Sequence, residues 1–122
     1  MSVPDYAQLV KQLVDSDPAT RQSARTTLLE MDENAIDPLI DQFYAGVTDA
    51  EGVAILQIMA EIGGPDALST LRNVFYFEDT RPILQRCAAN GLLHNRIALS
   101  HKELEEVKLF LADDTGSENL PE

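Results

Sequence analysis

The sequence predicts an all-α protein, and its composition and its apolar periodicity both support that prediction. Leu, Ile, Val, Ala and Met dominate a hydrophobic fraction of 44%, whereas aromatic residues make up 6% and Trp is absent. This composition suits packed helices better than aromatic-rich strands. Apolar residues also recur at the spacing i, i+3, i+4 and i+7 between short polar turns. The 122 residues are enough for one domain.

The first two helices have clear start signals. Residues 3–14 predict an N-terminal helix, with Ser2 as its cap and Asp5 completing a box-like pattern. Asp17 can accept hydrogen bonds from the first N–H groups of a second helix, and Pro18 fits the first helical position, where a missing N–H costs nothing. We therefore expect two helices separated by a short polar turn.

Five more helices follow, each bounded by polar or glycine-containing turns. Gly63-Gly64-Pro65 predicts a helix stop followed by a new start, Thr80 is the expected cap of the sixth helix, and Ser100 with Glu103 forms a capping box for the seventh. Apolar residues assigned to the helical stripes include Val14, Leu39, Leu71, Ile83, Leu84, Cys87 and Leu109.

Part of the sequence repeats itself. Phe43-Tyr44 and Phe75-Tyr76 end two helices 32 positions apart, and Leu39 and Leu71 keep the same offset. The second helix opens with Asp17-Pro18, followed by Arg21 and Ala24, and the helix after it is rich in apolar residues. A repeating pair of helices predicts stacked units that share one elongated core, because one pair cannot bury its own apolar stripe.

With this period near 30 and its Asp-Pro opening, the chain resembles the HEAT repeats, especially the short bacterial type also seen in phycobilisome lyase subunits. The resemblance implies an α-α superhelix, a right-handed solenoid of about three helical hairpins in one domain over residues 1–112. The expected parts are a cap at residues 3–14, repeats at 17–45, 49–77 and 80–112, and a disordered acidic tail at 113–122.

The resemblance also implies where a partner would bind. In this family the second helix of each unit lines the concave surface, which here corresponds to residues 35–45, 65–76 and 101–112. The candidate partner-binding residues on it are Asp37, Asp41, Tyr44, Arg72, Asn73, Tyr76, Glu105, Glu106 and Lys108. The polar ones could equally form ordinary solvated helix faces. Tyr44 and Tyr76, with Phe77, are either binding anchors or packing between units, and Asp17 and Arg21 are expected to make structural contacts between repeats.

Charge and cysteine content exclude several partners. Nine Lys and Arg against 21 Asp and Glu give a net charge of −12, which repels phosphate backbones and anionic membranes. We therefore expect neither a nucleic acid nor a membrane as partner, and a DNA glycosylase of HEAT-like type is disfavoured for the same reason. One cysteine and no long apolar run predict a cytoplasmic protein without disulfides.

The charge is unevenly distributed along the chain. Residues 1–80 carry a net charge of −10, residues 81–112 carry +2 and residues 113–122 carry −4. This distribution is compatible with a surface that serves solubility alone. Alternatively, the basic third section meets either the acidic tail or an acidic partner.

No motif for catalysis or for cofactor binding is evident. Cys87 has no His or Asn in a recognisable motif around it, so an inert buried thiol is expected. His94 and His101 lack partners at zinc-ligand spacing, which predicts no metal site, and no cofactor is expected.

The sequence therefore predicts a non-catalytic scaffold or adaptor that binds a protein or peptide, of basic or mixed charge, on its concave face. The alternative is an accessory subunit of a lyase-type enzyme acting on tetrapyrrole-binding proteins. Neither the identity of the partner nor the oligomeric state follows from the sequence.

Overall fold

The computed structural model describes the backbone of residues 5–77 and 81–119 and the side chains within these ranges up to residue 112. Within these ranges all regular structure is helical, as predicted. The α-helices are α1 (Tyr6–Leu13), α2 (Pro18–Met31), α3 (Ile36–Ala45), α4 (Asp49–Ile62), α5 (Pro65–Phe77), α6 (Pro82–His94) and α7 (His101–Asn119), and 3₁₀ turns occupy Asp32–Ala35 and Arg96–Ala98.

Side-chain caps fix several helix starts. Asp5 is itself the N-cap of α1 and accepts a hydrogen bond from the Gln8 N–H at 3.1 Å, so its predicted role as the third residue of a Ser2 box is wrong. The Asp17 carboxylate accepts from the Ala19 N–H at 3.3 Å, which confirms the predicted cap of α2. Ser2 and Thr80, which were also predicted as caps, lie outside the described residues.

Two reciprocal capping boxes hold α4 and α7. Glu103 receives the Ser100 N–H at 3.1 Å while the Ser100 hydroxyl accepts the Glu103 N–H at 3.1 Å, as the sequence predicts. Thr48 and Glu51 form the same arrangement at 3.1 and 3.0 Å, which the sequence reading missed. Each box satisfies two N–H groups, one at the cap and one in the first turn of the helix.

The contacts of Asp17 and Arg21 differ from the expectation. The Arg21 guanidinium donates to the Asp15 carbonyl at 2.7 Å and to the Ser16 carbonyl at 3.3 Å, and Asp17 also accepts from the Thr20 hydroxyl at 2.9 Å. These polar contacts are local to the turn between α1 and α2. The prediction that these two side chains bond between repeats is therefore wrong.

The helices pack around one hydrophobic core. Helix α1 contacts α2, α3 and α4, while α2 contacts α4, and α3 contacts both α4 and α5. Helix α4 packs on α5, and α6 packs on α4, α5 and α7. The largest fully buried side chains are Leu28, Leu39, Ile55, Leu56, Ile58, Met59, Leu71, Leu84, Leu92 and Val107.

Small residues let α6 approach its neighbours closely. A Cβ placed on Gly52 of α4 would lie 2.8 Å from Leu84 Cδ2, and one on Gly91 of α6 would lie 3.1 Å from both Ala60 Cβ and Leu71 Cδ2. At the turn between α4 and α5, Gly63 takes φ +74° as the C-cap of α4, which confirms the predicted helix stop.

Three apolar residues assigned to buried stripes are exposed instead. Val14, just beyond the end of α1, is 36% exposed, Ile83 in the first turn of α6 is 50% exposed, and Leu109 is 67% exposed. Leu109 lies on α7, the last helix of the described residues. Spacing places an apolar residue on a helix face, but it does not say whether another helix covers that face.

Helix α7 continues through residues 113–119, so its backbone passes the predicted domain boundary at 112. That the acidic segment 113–122 lacks stable structure stays a prediction, and residues 120–122 lie outside the described residues. Among the helices of the described ranges, none combines the length and the apolar character needed to cross a bilayer.

Asn95 links two helix ends, and its substitution should destabilise the fold. Its side-chain amide donates to the Ala60 carbonyl at the end of α4 and to the Gly91 carbonyl of α6, both at 2.9 Å. We expect Asn95→Ala to lower the free energy of unfolding by about 1–2 kcal/mol, because both bonds are lost and the partly buried Ala60 carbonyl loses its donor. Urea denaturation followed by circular dichroism measures the change.

The matched control is Asn90→Ala, which makes the same substitution at an exposed position of α6. Its free energy of unfolding should stay within about 0.5 kcal/mol of the wild type. Equal losses for the two variants would contradict a linking role for Asn95.

Candidate functional site

The predicted partner-binding residues lie on α3, α5 and α7, which form what is here called the α3–α5–α7 face. The structure leaves most of them accessible and half-buries two. The exposed members are Asp37, Asp41, Tyr44, Asn73, Tyr76, Glu105 and Lys108, and the half-buried members are Arg72 and Glu106. Side chains join α5 to α7 along this face, and a cleft lies between exposed parts of α3 and α5.

An ion pair joins α5 to α7. Arg72 Nε donates to Glu103 Oε2 at 2.7 Å and Arg72 Nη2 donates to Glu103 Oε1 at 3.2 Å, which is the bidentate geometry. The Ser100 backbone N–H and then the Arg72 guanidinium hold the pKa of the Glu103 carboxyl below its usual value. The guanidinium proposed as a partner contact is thus already engaged within the chain.

A second pair lies beside the first. The Tyr76 hydroxyl donates to Glu106 Oε1 at 2.5 Å, and this hydrogen bond, with burial and the negative charge of Glu106, raises the pKa of Tyr76 to about 12. The ring of Phe75 also meets the ring of Phe110 edge-on, with centroids 5.2 Å apart. Polar and aromatic contacts therefore close the junction between α5 and α7.

The junction between α3 and α5 is open. A cleft of about 280 Å³ lies there, lined by Phe43, Tyr44, Asn73, Val74 and Phe77. Tyr44 is 59% exposed and Phe77 is 77% exposed. The Tyr44 ring meets Phe43 edge-on at 5.2 Å, but within the described residues its hydroxyl has no hydrogen-bond partner. Two large rings thus border a cleft that the chain does not fill.

Unpaired acidic groups accompany the open junction. Asp37, Asp41 and Tyr44 are spaced i, i+4 and i+7 along α3, so they share its solvent side. Both carboxylates are exposed, and among the described cations none lies within 4.0 Å of them. The α3 side of the face therefore combines negative charge with accessible aromatic surface.

A larger groove, which the sequence did not predict, lies between α4 and α6. Its volume is about 540 Å³, and it is lined by Arg25, Val53, Gln57, Ala60, Glu61, Ile83, Arg86, Cys87, Asn90, Gly91 and His94. At its edge Arg25 of α2 forms a salt bridge with Glu61 of α4. The groove depends on how α4 and α6 pack, and because these helices start 33 positions apart in the chain, at residues 49 and 82, no local sequence signal marks it.

Cys87 lines this groove but is poorly suited to nucleophilic chemistry. Its thiol donates to the Val53 carbonyl at 3.6 Å, and burial raises the pKa of the Cys87 thiol to about 11. The thiolate, which is the reactive form, is therefore scarce at neutral pH. Over the described ranges no group of three or more His, Cys, Asp or Glu side chains is arranged to hold a metal ion.

One basic residue of the third section has acceptors in an earlier part of the chain. The Arg81 guanidinium donates to the Val47 carbonyl at 2.8 Å and lies 3.5 Å from Asp49 Oδ1. This contact ties the start of α6 to the start of α4. Whether the basic section also meets an acidic partner or the acidic tail stays a prediction.

Comparison with known proteins identifies no relative. No protein-family model, no curated protein and no solved structure matches this chain. The resemblance to HEAT repeats therefore rests on the residues of the sequence alone, and a function has to be inferred from the geometry of the α3–α5–α7 face.

The Arg72–Glu103 pair should make a pH-dependent contribution to stability. At pH 7 we expect Glu103→Gln to lower the free energy of unfolding by about 1 kcal/mol, because the amide can keep the cap but loses the charge. The pKa of Glu103 is lower in the folded chain than in the unfolded chain, where it is about 4.3. The difference in the free energy of unfolding between wild type and Glu103→Gln is therefore complete above about pH 4.3. It is lost as the pH falls through the folded pKa.

Urea titrations of wild type and Glu103→Gln between pH 8 and pH 3 measure this difference, with Glu105→Gln at an exposed position of α7 as the control. The gap between wild type and Glu103→Gln should be constant at neutral pH and should narrow below about pH 4.3. A gap that does not change with pH would show that the charge of Glu103 does not stabilise the fold.

Proposed function

We propose that this chain is a non-catalytic, HEAT-like scaffold or adaptor that binds a protein or peptide of basic or mixed charge on its α3–α5–α7 face. The observation that carries the proposal is the combination of exposed aromatic rings on α3 and α5 with carboxylates on α3 that have no cation of the described residues within 4.0 Å. Aromatic side chains are favoured binding anchors, and unpaired carboxylates attract Lys and Arg.

The helix contacts support the HEAT-like part of the proposal. Helices α4 and α5 pack as a pair, as do α6 and α7, and the first members contact in the order α2, α4, α6. Helices α3 and α5 also contact, and α1 covers parts of α2, α3 and α4 in the manner of a terminal cap. In a right-handed solenoid of such units, α3, α5 and α7 would line the concave side, which is where the face lies in this proposal.

The proposed mechanism is rigid presentation of a preformed surface. The pairs that join α5 to α7 hold the face together without a partner, so little side-chain ordering is left for the binding step. The net charge of −12 would accelerate encounter with a basic partner, and this acceleration would diminish as salt screens the charge. No catalytic role is assigned to Cys87, because its raised pKa keeps the thiol protonated.

Quantitative capture from a lysate of the native host tests this function. Immobilised wild-type chain should retain a partner that Asp41→Lys retains about fivefold less, because reversing one charge of an exposed contact costs about 1 kcal/mol. Tyr76→Ala should also reduce capture, and raising the salt from 50 to 500 mM should reduce it further.

Glu30→Lys is the matched control, since it makes the same charge reversal at an exposed position of α2, away from the face. It should retain the partner at the wild-type level. If Asp41→Lys and Tyr76→Ala both keep the same partners as the wild type, the assignment of the face is wrong. Insensitivity to salt would contradict the electrostatic part of the proposal.

A further inference from the structure

Two neighbouring junctions of the α3–α5–α7 face occupy corresponding positions but are filled differently. Between α5 and α7, Arg72 reaches Glu103, 31 positions later, and Tyr76 reaches Glu106, 30 positions later. The residues 32 positions before Arg72 and Tyr76 are Ile40 and Tyr44. Ile40 can make no ion pair, and the residue 30 positions after Tyr44 is Val74, which offers the hydroxyl no side-chain acceptor.

The different residues at corresponding positions of the two junctions account for the open cleft between α3 and α5. In the α5–α7 junction Glu106 contacts Tyr76. At the corresponding place in the α3–α5 junction, Val74 lines the cleft together with Tyr44, Asn73 and Phe77. The cleft volume of about 280 Å³ lies below the range of about 300–1,000 Å³ typical of small-molecule pockets. Its size and its aromatic walls suit one apolar side chain better than a whole small ligand.

The surrounding charge selects the kind of segment that carries this side chain. Asp41 lies one helical turn before Tyr44 and Asp37 lies two turns before it, and neither has a described cation within salt-bridge distance. An incoming Lys or Arg would find a carboxylate and, beside it, the face of a tyrosine ring that can stabilise a cation. Charge complementarity therefore favours a basic segment.

Helix and strand geometry set the spacing within that segment. Side chains three or four residues apart on a helix have Cβ atoms about 5–6 Å apart. Alternate side chains of an extended peptide point to the same side and lie about 6.6–6.8 Å apart. An apolar residue in the cleft beside Tyr44 would thus place the side chain two positions away near Asp41, and the next alternate one near Asp37.

We propose that the cleft between Tyr44 and Phe77 is the anchor site for an extended basic segment of a partner protein, whose apolar side chain enters the cleft while Lys or Arg residues at alternate positions contact Asp41 and Asp37. This inference rests on the proposed function and narrows it. The paired α5–α7 side of the face acts as support for the site and does not contact the segment.

The test is an NMR titration of the ¹⁵N-labelled full chain with synthetic heptapeptides. The probe carries phenylalanine at its second position, lysine at its fourth and sixth, and serine elsewhere, and its reversed sequence is titrated as well because either chain direction fits. The control peptide has both lysines moved by one position. Amide shifts should cluster around Tyr44 and Phe77, with α7 amides unmoved, and the control peptide should bind about threefold more weakly.

Variants of the chain sharpen the result. Phe77→Ala should weaken binding of the better peptide about tenfold through loss of one cleft wall, and Asp41→Asn about threefold through loss of one exposed ion pair. Glu30→Gln should leave the affinity unchanged. Because Phe77 is 77% exposed, its truncation leaves the core intact, and an unchanged urea midpoint checks this.

Several outcomes would overturn the inference. One is equal affinity for the probe peptide and the control peptide, and another is wild-type affinity of Phe77→Ala for the probe. Amide shifts confined to the α4–α6 groove, or no binding of any peptide, would also overturn it. Concentration-dependent shifts at the same amides without peptide would assign the cleft to a second copy of the chain instead. Partner capture that depends on Asp41 but not on Phe77 would preserve the proposed function while rejecting this anchor.

Discussion

The close packing of α6 against α4 and α5 is the constraint on which the rest of the structure depends. Gly52 and Gly91 leave no free space for even one more methyl group at the two contacts, and Ala88 and Ala89 of α6 are fully buried beside them. Because one pair of helices cannot cover its own apolar stripe, this approach buries much of the shared core. Asn95 then links the ends of α4 and α6 with two hydrogen bonds, so helix packing and polar contacts favour the same arrangement.

The same packing divides the polar side chains of the α3–α5–α7 face into those that join two helices and those that stay exposed. With α6 packed on both α5 and α7, Arg72 and Tyr76 lie where Glu103 and Glu106 can reach them, and these two pairs join α5 to α7. On α3 the corresponding positions, Ile40 and Tyr44, have no such partners among the described residues, and Asp37 and Asp41 are exposed with no described cation within 4.0 Å. A polar side chain on the α3–α5–α7 face therefore either joins two helices or stays exposed, depending on which side chain the neighbouring helix places opposite to it.

Local patterns predicted much of the fold because their causes are local. Apolar periodicity placed the helices, while Asp17, Ser100 and Gly63 marked ends whose hydrogen bonds or backbone angles involve only nearby residues. The partner-binding face was predicted from the repeat and stays a prediction; its members Tyr44 and Asp41 are exposed. The pairing of Arg72 with Glu103 could not be predicted, since it joins residues 31 positions apart and depends on how α5 and α7 are oriented. The α4–α6 groove and the exposure of Ile83 depend on helix packing in the same way.

Cys87 provides a natural chemical probe of the contact between α4 and α6. It is the only cysteine in the sequence, and its thiol lies at the contact between α4 and α6, bonded to the Val53 carbonyl. Because this thiol has a pKa of about 11 and is half-buried, it should react slowly with a disulfide reagent. The labelling rate of the unmodified protein would thus report on the exposure of the contact between α4 and α6, without any engineered probe.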